Sequence, residues 1–321
     1  MRIGIVGAGI AGLACAEDLT SLGHQVRLFD KGRGPGGRMS TRRIPTLAGE
    51  AYFDHGAQYF TARNDTFNRK VADWISKGAA AHWPSAGSDA YVGVPTMNAP
   101  VRLMANGESV VWKSLVKRIE QVEHGWRLVL DRGEAADVDV VVVATPAEQA
   151  SDLLAPVAPD LASRARAVVS EPCWTLMLAF FGAVAIAQNC WRDEDVIGWA
   201  ARNSSKPGRI GPESWVVQAS PNWSRLHIDK DPEWVSATLK GALSDMLGIP
   251  LPPVAGESCH RWRFARSGAD GSRALFDRNR RIGLCGDWLI GPRVEAAWLS
   301  GKALADQIAL VEGDVCAKHG P

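Results

Sequence analysis

The first thirty residues constrain this chain more than any other segment. Arg2 to Val6 reads as a short strand rich in β-branched residues, and Gly7-Ala8-Gly9-Ile10-Ala11-Gly12 follows at once. Leu13 to Leu19 then places apolar residues at helical spacing, with Gly23 as the stop. Gln25 to Phe29 is a second strand, and Asp30 ends it, 18 residues past Gly12. Each glycine has a physical role in such a unit. Gly7 allows the tight turn, Gly9 lets a pyrophosphate approach the backbone, and Gly12 lets helix and strand pack closely. Ile10 and Ala11 open the helix, whose N-terminus offers free N–H groups and positive potential to phosphates. Asp30 is in register to accept hydrogen bonds from ribose hydroxyls. This segment therefore predicts a dinucleotide-binding βαβ unit.

The rest of the composition removes other classes. Lys+Arg is 36 and Asp+Glu is 35, a formal net charge of +1, so the basic excess expected of a nucleic-acid or membrane-surface protein is missing. The longest apolar run, Cys173 to Ala187, is shorter than the roughly 18–20 residues of a membrane span. Met1-Arg2 leads straight into the first strand, which is too short for a signal-peptide core, and the tail Ala317 to Pro321 offers no anchor. Cys15, Cys173, Cys190, Cys259, Cys285 and Cys316 form no CxxC pair, so the expectation is free thiols, no metal site and a reducing cytoplasm. Tryptophan is unusually common, 13 against 3 Tyr and 8 Phe. Indoles stack on flat rings and fill large interiors, so the surplus means a planar ligand or a bulky core.

Three further motifs decide which dinucleotide. Lys31 to Arg42 contains Arg33-Gly34-Pro35-Gly36-Gly37-Arg38-Met39-Ser40-Thr41. Arg281 to Asp287 is a strand ending in Gly286-Asp287, and a helix runs from Arg293 to Leu304. Asp137 to Thr145 reads as a buried parallel strand turning at Pro146, with Val110-Val111 and Val116 before it. Together these resemble the flavin-containing amine oxidase superfamily. The resemblance implies noncovalent FAD. It assigns Lys31, Arg33, Gly36, Gly37, Arg38 and Met39 to the ribityl and pyrophosphate, Val110 to the adenine, and Thr145 and Pro146 to the cofactor site. Gly286 and Asp287 hold a ribityl hydroxyl or phosphate. Val294, Glu295 and Ala297 offer helix N-terminal donors to the pyrimidine edge, where the dipole favours the negative charge of a reduced flavin.

The flavin elements lie at both ends and in the middle, so the domains must interleave. The expected FAD domain is 1–60, 105–150 and 275–321, an α/β Rossmann-like fold. The expected substrate domain is 61–104 and 151–274, α+β on a mixed or antiparallel sheet, with a helix over Pro232 to Leu247 and strands near Trp174 to Ala183, Val196 to Arg202 and Ser214 to Ser220. No second strand–GxGxxG–helix unit is present, so no separate NAD domain is expected.

Phe53-Asp54-His55-Gly56-Ala57-Gln58-Tyr59-Phe60-Thr61, with His260-Arg261-Trp262, resembles the renalases, which oxidise isomeric dihydro-NAD(P) and pass the electrons to oxygen as hydrogen peroxide. By this resemblance Ala57 and Gln58 meet FAD, and Gln58, Tyr59, Arg261, Trp262, Trp288 and Arg293 line the substrate pocket. A dihydropyridine expels its hydride by its own nitrogen lone pair, so stacking within roughly 3–3.5 Å is most of the catalysis. No acid–base residue is expected, and His55 is read as structural. Tyr59 and Trp262 suit the ring pocket or the core. The two places where amine oxidases carry substrate-flanking aromatics hold Gly271 and Arg293. Arg293 repels a cationic amine and suits an anionic or carbonyl substrate, or else it binds FAD or a nearby carbonyl. The alternatives are an amine oxidase or related dehydrogenase, and a non-redox FAD protein or mutase.

Overall fold

The computed structural model describes residues 1–192 and 195–318, with side chains through Leu310. Expectations for the thiol of Cys316 and for the extreme tail lie outside the described residues. The chain divides into two compact units, 1–37 with 101–170 and 267–321, and 38–100 with 171–266. These bounds differ most from the expected ones at two places, and the short stretches 101–104 and 267–274 also fall in the first unit. Residues 38–60 fall in the second unit and residues 151–170 in the first. The reason is packing. The hairpin 41–54 lies on the second unit's sheet, and Leu154, Leu161 and Ala165 are sealed into the first unit's core.

The first unit is built on a six-stranded sheet. In spatial order its strands are 275–277, 282–284, 140–143, 2–6, 25–30 and 110–112. All neighbours are parallel except 275–277 against 282–284. We name β1 (Arg2–Val6), α1 (Ile10–Ser21) and β2 (Gln25–Asp30), followed by β3 (Val110–Trp112) and β4 (Val140–Val143). All four residues of β4 are valine and all are buried, as a strand covered on both faces requires. One cover is a cluster including Val141, Val143, Leu154, Leu161, Ile282 and Trp288. The other holds α1 and the helix Val294–Lys318, which we name α2. They cross so closely that a Cβ on Gly301 would stand 2.1 Å from the Ala11 carbonyl oxygen. The segment read as one strand over Asp137 to Thr145 is in fact two. Ala136–Val138 belongs to an antiparallel three-stranded sheet, and β4 begins after Asp139. Asp139 is the pivot, because its amide donates to Arg2 O and its carboxylate accepts the Arg2 amide, both at 2.8 Å.

The second unit is built on a five-stranded antiparallel sheet, ordered 190–191, 197–202, 214–219, 171–180 and 254–266. The apolar run from Cys173 supplies its long interior strand 171–180. No helix among the described residues is long and apolar enough to cross a membrane. The sheet's two faces are covered differently. Trp174, Leu176, Leu178, Phe180, Trp215 and Val217 meet the helix Pro232–Leu247 through Val235, Leu239, Leu243 and Leu247. That helix starts on the Asp231 side chain, which accepts the Glu233 amide at 2.7 Å, and on Pro232. Truncating Leu239 or Leu243 to alanine removes about 2–5 kcal/mol of stability. On the opposite face Met177, Ala179 and Val216 meet Ala51 and Phe53 of the hairpin 41–54.

Candidate flavin site and substrate platform

The phosphate-binding end of the first unit is set by glycines whose geometry allows nothing larger. Gly7 has φ +104°, in the left-handed region, and a Cβ there would stand 2.8 Å from the Ala144 carbonyl oxygen. A Cβ on Gly12 would meet Gly7 O at 2.1 Å, so α1 reaches its distance from β1 only because Gly12 has none. Gly9 is different: nothing of the chain lies within 4 Å of its Cβ position, and its φ of −76° would admit other residues. Gly9 is also the N-cap of α1; no side chain caps the helix and no acidic residue stands in its first turn. The amides of Ile10, Ala11 and Gly12 thus open the helix with no side-chain acceptor. This is the arrangement that binds a pyrophosphate. Gly37, in the second glycine-rich turn, places its Cβ position 3.8 Å from the Gly9 Cα, so that turn runs beside the first.

Asp30 does more than its motif implied. Its Oδ2 accepts the Ala8 amide at 2.8 Å and its Oδ1 accepts the Gly32 amide at 2.6 Å. The carboxylate therefore ties both loops to β2, and each oxygen keeps acceptor capacity for a ribose hydroxyl. Val110 pairs with Leu28 on β3, at the sheet edge beside Asp30. Lys31 reaches Gln149 at 2.9 Å, and Arg33 is exposed. Thr145 follows β4; its carbonyl accepts Trp288 Nε1 at 3.2 Å, while its buried hydroxyl has no partner. A buried hydroxyl left unpaired costs about 1–3 kcal/mol, so a ligand oxygen here would restore a lost bond. Pro146 leads into the helix Ala147–Leu154. Gly286 precedes the short helix Asp287–Ile290, and the buried Asp287 accepts from Ser267 at 3.1 Å. Arg293 ends the loop before α2, half-exposed and 3.9 Å from the buried carboxylate of Glu295, with Val294 and Ala297 in the first turn. The uncapped α1 terminus, the bare Gly9 surface and the orphaned Thr145 hydroxyl all fit FAD.

Trp288 corrects an expectation. It has no solvent exposure and belongs to the first unit's core cluster, so it lines no pocket. Trp298 is likewise core, at 2% exposure. The tryptophan surplus is mostly interior bulk.

The second unit, taken by itself, carries the turn 54–58 beside one face of its sheet. Side chains directly opposite across strands share a face. Trp199 pairs with Gln218, Gln218 with Thr175 and Thr175 with His260, so these four form one line across four strands. Cys173 and Trp262 form the next row on the same face. Above it, His55 stacks on Trp262 with ring centroids 5.1 Å apart and meets His260 edge-on at 5.2 Å. Trp262 Nε1 donates to His55 O at 2.8 Å, and Arg42 donates to His260 Nδ1 at 3.2 Å. Burial, then the nearby His260 and Arg42, lowers His55 to about 3; burial and Arg42 lower His260 to about 4. Both imidazoles are neutral at pH 7. Tyr59 tilts against Trp199 at 5.4 Å and its hydroxyl accepts from Arg192 at 2.6 Å.

Two expected pocket residues turn elsewhere. Arg261 alternates with His260 and Trp262 and so lies on the other face, over the Trp174 ring and bonded to Ile228 O at 2.6 Å. The Gln58 side chain is 5% exposed and serves its own turn, donating to Asp54 O and to Gly56 O at 3.2 Å. Ala57 donates to Arg38 O at 2.8 Å, where Gly56 also comes so close that its Cβ would stand 2.0 Å away; Met39 next to it is buried. Trp199, Thr175, Gln218 and Arg42 were not expected. The available signal was a polar residue interrupting each apolar strand: Thr175 in Cys173 to Phe180, and Gln218 in Trp215 to Ala219.

Residues 5–74 match the family model of an NAD(P)-binding Rossmann-like domain, and residues 78–309 match that of flavin containing amine oxidoreductases. Renalase of Mus musculus is 24% identical over 304 residues, covering 83% of this chain and 85% of its own length. A 4,4'-diapophytoene desaturase of Staphylococcus haemolyticus is 55% identical over 40 residues only, 12% of this chain and 8% of its own. In fold, the chain is similar to a putative protoporphyrinogen oxidase from Exiguobacterium sp. 255-15, with TM-score 0.70, 14% identity and coverage of 96% and 98%. It is also similar to a CLA-producing fatty acid isomerase from P. acnes, with TM-score 0.72, 11% identity and coverage of 95% and 98%. The second match spans well over half of the chain, so this protein belongs to the flavin containing amine oxidoreductase family, with FAD as its cofactor.

Proposed function

We propose that this oxidoreductase oxidises isomeric 2- or 6-dihydro-NAD(P), delivering hydride to FAD and then electrons to oxygen as hydrogen peroxide. One observation carries the reading: the second unit sets three uncharged flat rings together, the half-buried His260 and Trp262 backed by the buried His55 and bordered by Arg42. A neutral dihydropyridine stacks on such a patch, while an ammonium group beside the Arg42 guanidinium does not. Bound FAD supplies the redox chemistry. The chain's own residues hold the ring flat and keep water away from it. With both imidazoles held far below neutral pH, neither is tuned as a general base, and a dihydropyridine needs none. The likeness to a renalase along 83% of the chain supports the same substrate class.

The test is anaerobic reduction of the bound flavin. Preparations of 2- or 6-dihydro-NAD or dihydro-NADP bleach it rapidly, and ordinary NADH does so weakly. Admission of oxygen then restores the colour with one peroxide per flavin. A flavin that stays oxidised with the isomers overturns the proposal; rapid bleaching by a primary amine or polyamine instead assigns the chain to amine oxidation.

A further inference from the structure

The hairpin 41–54 ends in a turn that leaves a large apolar side chain in water. Leu47 at the tip is 84% exposed, where turns ordinarily carry polar residues. The tip is held firmly. Thr46 Oγ1 donates to Gly49 O at 2.6 Å and accepts the Ala48 amide at 3.2 Å, and the Leu47 amide donates to Ala255 O at 2.9 Å. Two more segments of the second unit close around it. The Phe181 amide donates to Pro253 O at 3.0 Å, just ahead of Ala255, and Phe181 is 56% exposed. A Cβ on Gly211 would stand 2.6 Å from Glu50 O, so the loop 210–212 lies against the hairpin, and the neighbouring Ile210 is 78% exposed. Three large apolar side chains thus stand in solvent at one end of the five-stranded sheet.

The same end carries no charge. None of residues 44–49, 181–191, 210–212 or 246–256 is Asp, Glu, Lys or Arg, in a chain where such residues make up 22%. Glu50, Glu213 and Glu257 follow three of these segments, and each is paired within the unit, with Arg43 at 3.0 Å, Arg202 at 3.1 Å and Lys240 at 2.7 Å. Apolar side chains scattered singly need no explanation, but a rigid, uncharged group of them marks a contact surface. Its charge pattern selects the partner. A charged peptide finds no counter-charge here, and an anionic lipid surface finds none of the Lys or Arg that hold a peripheral face to headgroups. The complement of an uncharged apolar patch is another such patch, and a second copy of this chain supplies one of matching size. A two-fold axis sets the patch against itself, and a formal net charge of +1 leaves little repulsion between the copies.

We propose that the chain associates with a second copy of itself through the hairpin tip, with Leu47, Phe181 and Ile210 buried at the contact. The association holds whatever the substrate. It also steadies the hairpin that carries Arg42, so melting of the second unit rises with protein concentration.

The test is sedimentation equilibrium of the FAD-loaded protein across the micromolar range. The native chain approaches twice its mass of 34.5 kDa as concentration rises. Leu47→Asp with Ile210→Asp sets like charges into an apolar contact on both copies and raises the dissociation constant by about a hundredfold or more. Both side chains stand in solvent, so this variant keeps the FAD content and the low-concentration melting of the native protein, which separates lost association from lost folding. Leu226→Asp, at a leucine 70% exposed outside these segments, associates like the native chain. A native chain that stays monomeric throughout, or a double variant that associates like the native one, overturns the proposal. Flotation with uncharged phosphatidylcholine vesicles runs beside it: a native chain that stays monomeric and floats with the vesicles assigns the patch to lipid and overturns the second copy as its occupant.

Discussion

Gly9 and Gly12 separate what the fold needs from what the cofactor needs. Gly12→Ala pushes a Cβ to 2.1 Å from the Gly7 carbonyl oxygen, at least 0.9 Å inside the 3.0 Å limit for real Cβ contacts. The obstacle is backbone on both sides, so α1 must move away from β1, at an overpacking cost of about 1–3 kcal/mol. Gly9→Ala meets no protein atom within 4 Å, and its φ of −76° suits alanine. Its cost to the apoprotein is that of a poorer N-cap, about 1 kcal/mol or less. In the FAD complex, however, the new methyl occupies the surface on which the pyrophosphate lies. Each hydrogen bond to a charged phosphate oxygen is worth about 1.5–3 kcal/mol, so every one lost weakens FAD binding about ten- to a hundredfold. The assay is paired: titration of the apoprotein with FAD, and thermal melting of the apoprotein. Gly12→Ala should fall in both, and Gly9→Ala in FAD affinity alone. A Gly9→Ala protein that binds FAD like the native one would refute the placement of the pyrophosphate on this loop.

Other outcomes follow from the second unit. Trp262→Ala removes the ring that stacks on His55 and the donor to its carbonyl; it should slow flavin reduction by dihydropyridines at least tenfold while the FAD-to-protein ratio stays native, measured by stopped-flow absorbance. The rate of flavin reduction should show no imidazole titration between pH 5 and 9, because His55 and His260 ionise only near about 3 and 4. Those same histidines make stability pH-dependent. Their folded pKa values lie below the unfolded value near 6.5, so the unfolded chain binds more protons as pH falls from about 6.5 to 4. Stability is full above that window and is lost within it, and denaturant melts at pH 7.5, 5.5 and 4.5 should show the decline roughly halved in His55→Phe, with the remainder due to His260. Gln218→Ala should cost about 1 kcal/mol by releasing the Gly56 carbonyl, read as a shift in denaturant midpoint.

What the sequence determined by itself is the set of local geometries. A strand, a glycine turn and a helix N-terminus are written within neighbouring residues, so the placement of Gly7, Gly9, Gly12 and Asp30 was legible, as were the helix Pro232–Leu247 and the interleaved course of the chain. The side-chain partners were not legible, because they depend on which strands become neighbours. Thr175, Gln218, Trp199 and His260 come from four separated segments and share one line only through sheet register. Arg261 differs from Trp262 by one position, yet alternation across the sheet sends it to the opposite face. Trp288 sits beside a flavin motif, yet its ring lies in the core, in the space a Cβ on Gly286 would take. Lys206 and Asp54 lie 152 residues apart, and nothing in either neighbourhood announces a buried charge. Short-range sterics fix the glycine turn after β1; burial and register, which are properties of the whole sheet, decide which side chains come to share a face.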